Sequence, residues 1–137
     1  HFVTPADFQA KKRAGFFLET NHYADAWYGS PKSLLVDLAA GMSFVIVLDW
    51  NGAQALTKFL PDPLLVWLMP PTVETLRKHL MIRGTETPEE IERRLEIAQQ
   101  EMAREQREQL FTHHIVNETI ENTTKTICKL IKQQRNP

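Results

Sequence analysis

An α/β fold, a doubly wound parallel sheet with helices around it, is what this sequence predicts, and three observations predict it. Ser43–Leu48 (SFVIVL) is continuously apolar and β-branched, and Leu64–Met69 (LLVWLM) is a second such run. Runs of this length and composition mark strands covered on both faces, the habit of parallel sheets. Helix-start signals recur between and around them, so strand and helix alternate along the chain.

Thr4-Pro5-Ala6-Asp7 opens the first helix, with Thr4 as N-cap, Pro5 in the first turn and Asp7 as the capping-box acid. It should end near Ala14, at Gly15. Phe16-Phe17-Leu18 is too short and too aromatic for a helix and reads as a strand. Ser30-Pro31 starts another helix, with Leu34, Leu35 and Leu38 on one face, ending near Gly41. Asp49 closes the Ser43–Leu48 strand, the end at which open α/β sheets place ligands. Asn51-Gly52 begins a helix through about Phe59, and Pro61-Asp62-Pro63 forces a turn. Thr72 caps a helix over Val73–Arg83 that Gly84 terminates, and Thr87-Pro88-Glu89-Glu90 is a capping box opening a helix to about Glu108. His113–Val116 is a short strand and Thr119–Gln133 the last helix. The Glu- and Gln-dense segment from Glu86 to Gln109 reads as solvated helical surface.

With 137 residues the chain has room for one domain with a real core. The net charge of −1 gives no support to nucleic-acid or membrane-surface binding driven by bulk charge. Cys128 is the only cysteine, which excludes an intrachain disulfide and a cysteine-based metal site; its apolar neighbours make it a small core residue. No apolar run is long enough to span a bilayer, no signal peptide is evident, and a reducing cytoplasm fits best.

The chemistry concentrates in Phe16–Ser30, FFLETNHYADAWYGS. Glu19 ends a strand with its carboxylate toward whatever the next loop encloses, and Tyr28, Gly29 and Ser30 follow. An acceptor-only group, two hydroxyls and a glycine that allows close backbone approach suit a small polar ligand with adjacent N–H donors and an acceptor oxygen. Guanine is such a ligand, whereas adenine presents an acceptor where guanine has a donor, so Glu19 would select as well as bind. The spacing leaves open a plainer reading, an edge-strand glutamate beside core aromatics.

Taken in order, His1-Phe2-Val3, Phe17-Leu18-Glu19, Tyr28-Gly29-Ser30, Asp49-Trp50-Asn51-Gly52, Pro70-Pro71, Arg83-Gly84-Thr85 and Ile115-Val116-Asn117 resemble the guanylate kinase family over nearly the whole chain. The resemblance implies a P-loop nucleoside-monophosphate-kinase-like fold with a small GMP-binding subdomain and a helical lid. It divides a single domain, 1–137, into a GMP-binding region (1–41), core strands and helix (42–71), a lid region (72–108) and a C-terminal core strand and helix (109–137). It implies phosphoryl transfer from ATP, with magnesium entering with the nucleotide, to GMP. By the same resemblance Glu19 and Asp49 read guanine, Ser30 its O6, and Tyr28 the GMP phosphate. Arg83 and Arg94 match arginines of the mobile lid, which stabilise charge on the transferring group. Asn117 matches a residue near the adenine of the donor. Asp49 is equally a helix N-cap in its own right, and Asn117 a turn or cap residue.

Helical geometry separates Arg94 from its neighbour. With Ile91, Leu95, Ala98 and Met102 as the buried stripe, Arg93 lies roughly 200° away and Arg94 about 60° away at ~100° per residue. Arg77, Lys78 and Arg93 read as a solvated face at arginine-rich helix ends. Three positions depart from the family pattern: Val47 where an acid is usual, Asn51 where glutamine is common, and His79 in place of a third lid arginine. A histidine is only partly charged at neutral pH and lacks the bidentate fork. Trp50 matches a variant of some bacterial enzymes. Adjacent His113 and His114 face opposite ways in a strand and cannot jointly bind a metal in the usual manner, and no protein metal site is assigned.

No G-x-x-x-x-G-K-[ST] occurs, so no loop of these residues cradles donor phosphates. The chain also starts at His1, at what the family treats as mid-domain, and reads as a C-terminal portion without the P-loop strand and helix. In that topology the absent strand is central. Neighbouring strands should be unpaired and apolar surface open, giving poor stability or self-association, with a homo-oligomer as one outcome, unless that piece is supplied. An alternative function is a non-catalytic guanylate kinase-like module binding GMP or a protein. Joint retention of Glu19, Tyr28, Ser30, Arg83 and Arg94 argues for the enzymatic ancestry.

Overall fold

The computed structural model describes residues 2–23 and 26–135. They pack as two compact units, His1–Pro63 and Leu64–Pro137.

In the first unit, α1 (Pro5–Arg13) is followed by the strands β1 (Phe17–Tyr23) and β2 (Ala26–Pro31), then by α2 (Ser33–Ala39) and α3 (Trp50–Thr57). Thr4 caps α1 by accepting from the Asp7 amide, and its hydroxyl in turn donates to the Asp7 carboxylate at 2.7 Å. β1 and β2 form an antiparallel ladder, Glu19 opposite Ser30 and Asn21 opposite Tyr28, with a bulge between Phe17 and Glu19. This hairpin is longer than the sequence suggests: the polar residues Glu19–Tyr23 continue the strand because β2 satisfies their backbone, not because they are apolar. The unit's aromatic cluster joins α1 to the hairpin. Phe8, buried, stacks on Phe17 at 4.8 Å between ring centroids and lies 5.8 Å from Trp27, while the Lys12 ammonium sits 4.5 Å above the Trp27 ring.

Two expectations fail in this unit. Ser30-Pro31 does not open a helix. Both residues end β2, and the Ser30 hydroxyl donates to Glu19; α2 begins at Ser33 without a side-chain cap, because its N-cap residue, Lys32, carries only donors. Ser43–Leu48 is not a strand buried on both faces. It runs without a ladder partner among the described residues, and its side chains from Ser43 to Val47 are exposed, Val47 to 94%. A continuous apolar run states that burial would be favourable; only a neighbouring segment can provide it. The apolar side chains of Phe44, Val45, Ile46 and Val47 are exposed.

The second unit holds β3 (Val66–Met69), α4 (Val73–Arg83), α5 (Pro88–Glu108), β4 (His113–Val116) and α6 (Ile120–Arg135). β3 and β4 pair in parallel, Val66 opposite His113 through Met69 opposite Val116. This small parallel sheet is the observed part of the expected doubly wound arrangement. β3 is half-buried with Leu68 exposed, so the second apolar run also lacks cover on one face. The helix signals hold closely. Thr72 accepts from Thr75, Gly84 takes the left-handed C-terminal position at φ 66°, and Thr87 and Glu90 form a reciprocal capping box. Leu80, Ile91 and Leu95 make the buried contact between α4 and α5, with Val73 and Leu76 packed against it. Cys128, expected in the core, is exposed. It lies one residue past half-buried Ile127, about 100° around α6 and off the face that Thr123 buries. Among the described residues no helix is long and apolar enough to cross a membrane.

Candidate functional site

In the first unit the hairpin register places Glu19, Asn21, Tyr28 and Ser30 on one face, because directly opposed residues of an antiparallel pair point the same way. Glu19 is only 7% exposed, and its Oε1 accepts from the Ser30 amide at 3.0 Å and the Ser30 hydroxyl at 2.8 Å. A carboxylate this buried is tenable only when hydrogen-bonded. Its other oxygen, Oε2, makes no hydrogen bond among the described residues, so one face of the carboxylate is fixed and the other retains acceptor capacity. The Ser30 hydroxyl proton is used on Glu19; donating it to a ligand oxygen requires rotation away.

Asp49 joins this face through α3. One carboxylate oxygen accepts from the Gly52 amide at 2.9 Å, which makes Asp49 the N-cap of α3, and the other accepts from the Asn21 carboxamide. The cap and site readings of Asp49 therefore coincide: the helix cap fixes the side chain that Asn21 then holds. The cap also requires glycine at position 52, where an added Cβ would stand 2.9 Å from Asp49 Oδ1. Tyr28 is exposed and belongs to the same face.

Asn21 was missed by the sequence reading. Its signal was available, since it lies two residues after Glu19 and a strand's period of two puts both on one face. Gly29 has a packing role within the hairpin. An added Cβ would meet the Phe17 ring at 2.9 Å and the Glu19 carbonyl oxygen at 3.1 Å, so the glycine makes room for Phe17.

In the second unit Arg83 ends α4 and Arg94 lies in α5, on either side of Gly84–Thr87. Both approach the Glu86 carboxylate, Arg83 Nη1 at 3.9 Å and Arg94 Nε at 3.6 Å. The Arg94 side chain is 30% exposed and that of Arg83 63%, while Arg93 is exposed, as the helical count requires. Arg77 is not simply solvated: it forms a two-point ion pair with Glu92 that ties α4 to α5, the second contact at 2.9 Å. The hydrogen bond from Arg77 holds the Glu92 carboxyl below its ordinary range. His79 is exposed.

Asn117 follows β4, its amide donating to Met69 and its carboxamide oxygen accepting from Thr123 at 2.8 Å. The side chain thus anchors the start of α6, the cap-like role. Glu105 corrects the reading of Glu86–Gln109 as solvated surface. It is buried, accepts from the Leu110 and Phe111 amides at 3.2 and 3.0 Å, and contacts His114 Nε2 at 2.9 Å. A cavity of about 250 Å³ beside it, lined by Trp67, Met69 and Met102 among others, contains none of the expected site residues. Among the described residues no three His, Cys, Asp or Glu side chains gather into a metal-binding group.

Comparison with known proteins decides the ancestry. The guanylate kinase family model matches residues 1–134. The chain belongs to the guanylate kinase family. Relatives described as guanylate kinase include one from Thermobifida fusca, 37% identical over 132 residues, covering 96% of this chain and 66% of the relative. Another, from Mycobacterium leprae, is 37% identical and covers 96% and 62% respectively. A crystal structure of guanylate kinase from Anaplasma phagocytophilum superimposes with a TM-score of 0.79 at 25% identity, over 100% of this chain and 65% of that one. The chain therefore spans about two thirds of the length of the guanylate kinases it matches.

Proposed function

We propose that the protein is a guanylate kinase, transferring the γ-phosphoryl group of ATP to GMP to give ADP and GDP, and that these 137 residues supply its GMP-reading face and its lid arginines. The observation that carries this reading is the Glu19 carboxylate, buried, fixed through one oxygen by Ser30 and unengaged at the other. Guanine offers its ring N–H and exocyclic amino group side by side to such an acceptor; adenine would set an acceptor against it, and a buried unpaired acceptor is costly. Asp49 positions Asn21 and keeps further lone pairs for the base. Ser30 takes O6 when its hydroxyl rotates, and the Tyr28 hydroxyl takes the GMP phosphate. Arg83 and Arg94 stabilise the charge that spreads over the transferring phosphoryl group, the main contribution a protein makes to this reaction. No general base is required, because a phosphate monoester is already an anionic nucleophile.

ATP arrives with magnesium as a substrate complex, held through nucleotide oxygens, and Asn117 lies on its adenine side. Without a G-x-x-x-x-G-K-[ST] loop among these residues, phosphoryl transfer by them alone is slow or absent, although GMP still binds. The setting is a bacterial-type cytoplasm. The test is calorimetric titration of the chain with GMP, with AMP as control, followed by an ATP-dependent assay of GDP and ADP formation. GMP binding in preference to AMP is the expected result. Folded protein that binds neither, or both alike, would overturn the assignment of Glu19 as guanine reader.

A further inference from the structure

We propose that Glu86 is a positioning residue that brings the guanidinium groups of Arg83 and Arg94 to a single anion-binding point; this rests on the reading of those arginines as phosphoryl-handling groups. The two cations belong to different helices, Arg83 to the last residue of α4 and Arg94 to the second turn of α5. Bringing two guanidinium groups together costs Coulombic repulsion, and something must offset it. Glu86 stands between them. Its Oε1 is 3.9 Å from Arg83 and 3.6 Å from Arg94, its Oε2 receives the Thr85 hydroxyl at 2.7 Å, and its side chain is only 8% exposed in a segment of otherwise solvated charges.

The distances define the kind of hold. Both exceed hydrogen-bond length, so the carboxylate attracts the two groups without consuming their donors. Neither guanidinium group makes a hydrogen bond among the described residues, which leaves both forks available to phosphoryl oxygens. Local geometry fixes the carboxylate in turn. Gly84 reverses the chain in the left-handed conformation, and the Thr87–Glu90 capping box locks the start of α5 immediately after Glu86.

The proposal makes a prediction opposite to that of bare charge. Glu86→Gln makes the region one charge more positive, and electrostatics alone would then tighten anion binding. If Glu86 positions the arginines, the variant binds more weakly, because two long side chains must be ordered against their mutual repulsion each time an anion arrives. The experiment titrates the full chain with inorganic pyrophosphate at fixed ionic strength. Relative to wild type, Glu86→Gln is expected to weaken binding about 3- to 10-fold and Glu86→Asp to recover most of the loss. Equal or tighter binding by Glu86→Gln overturns the proposal.

Two controls separate this proposal from the reading it rests on. Arg83→Gln and Arg94→Gln should each weaken pyrophosphate binding; if neither does, or if the wild type binds none, the phosphoryl-handling reading fails. Independently, NMR of the anion-free chain should show the side-chain Nε–Hε signals of Arg83 and Arg94 shifting together in Glu86→Gln. Unmoved signals overturn the positioning role whatever pyrophosphate does.

Discussion

The hairpin face and the α4–α5 connection both bring charge to a point, by opposite means. At the hairpin a carboxylate is buried and hydrogen-bonded by its opposite neighbour in the ladder, so Glu19 is fixed by β-sheet register. At the connection, two partly exposed cations share one carboxylate at distances too long for hydrogen bonds. The first arrangement suits discrimination, since a rigid acceptor rejects a base whose donors do not match. The second suits a charge that must appear and leave, since loosely held guanidinium groups can transfer to phosphoryl oxygens at little cost. One carboxylate is fixed by ladder register, and the other is shared between cations at helix ends.

Breaking the hairpin arrangement should have the largest effect. Glu19→Gln keeps the size and the hydrogen bonds from Ser30 but removes the charge, and GMP affinity should fall roughly 10- to 100-fold, the worth of a charge-assisted hydrogen bond. Titration calorimetry with circular dichroism as the fold control checks it, and unchanged affinity with an intact fold would remove Glu19 from the site. Gly29→Ala tests the support beneath. Its Cβ would press the Phe17 ring at 2.9 Å, and Phe17 stacks on Phe8, so about 1–3 kcal/mol of stability should be lost in a denaturant titration.

Gly84→Ala probes the other arrangement and should cost less, about 1 kcal/mol. The added methyl meets nothing closer than 3.9 Å, and only the left-handed φ of 66° is unfavourable. A larger loss than for Gly29→Ala would reverse the ranking of the two regions. The smallest effect belongs to the exposed Arg77–Glu92 pair. Because hydrogen bonding to Arg77 lowers the Glu92 pKa, its contribution to folding is present above the unfolded carboxylate range and lost as pH falls through the folded value. Glu92→Gln should therefore shift the melting temperature slightly near neutral pH and not at all in acid, with the difference shrinking in high salt. An acid-independent shift would assign the effect to packing.

Local chemistry carried most of the helices and half of the site. Thr4, Thr72, Thr87 with Glu90, and Gly84 act within three or four residues of themselves, so their signals survive in any tertiary setting. The same locality placed Arg94 beside the buried stripe and Arg93 away from it, and it made Asp49 a cap. The ordered motifs pointed to the guanylate kinase family, which the family match over residues 1–134 establishes. Tertiary structure decided what depends on a distant partner. The ladder carried β1 through polar residues, set Asn21 and Ser30 beside Glu19, and kept Ser30 and Pro31 in a strand. Without a ladder partner among the described residues, Ser43–Val47 is exposed despite its composition. Glu86 and Glu105 looked like solvent-facing charges until a helix end and a chain reversal closed over their carboxylates. Caps, turns and helix faces are written within one or two turns of chain; burial and strand pairing are properties of two segments at once, which no single segment can specify.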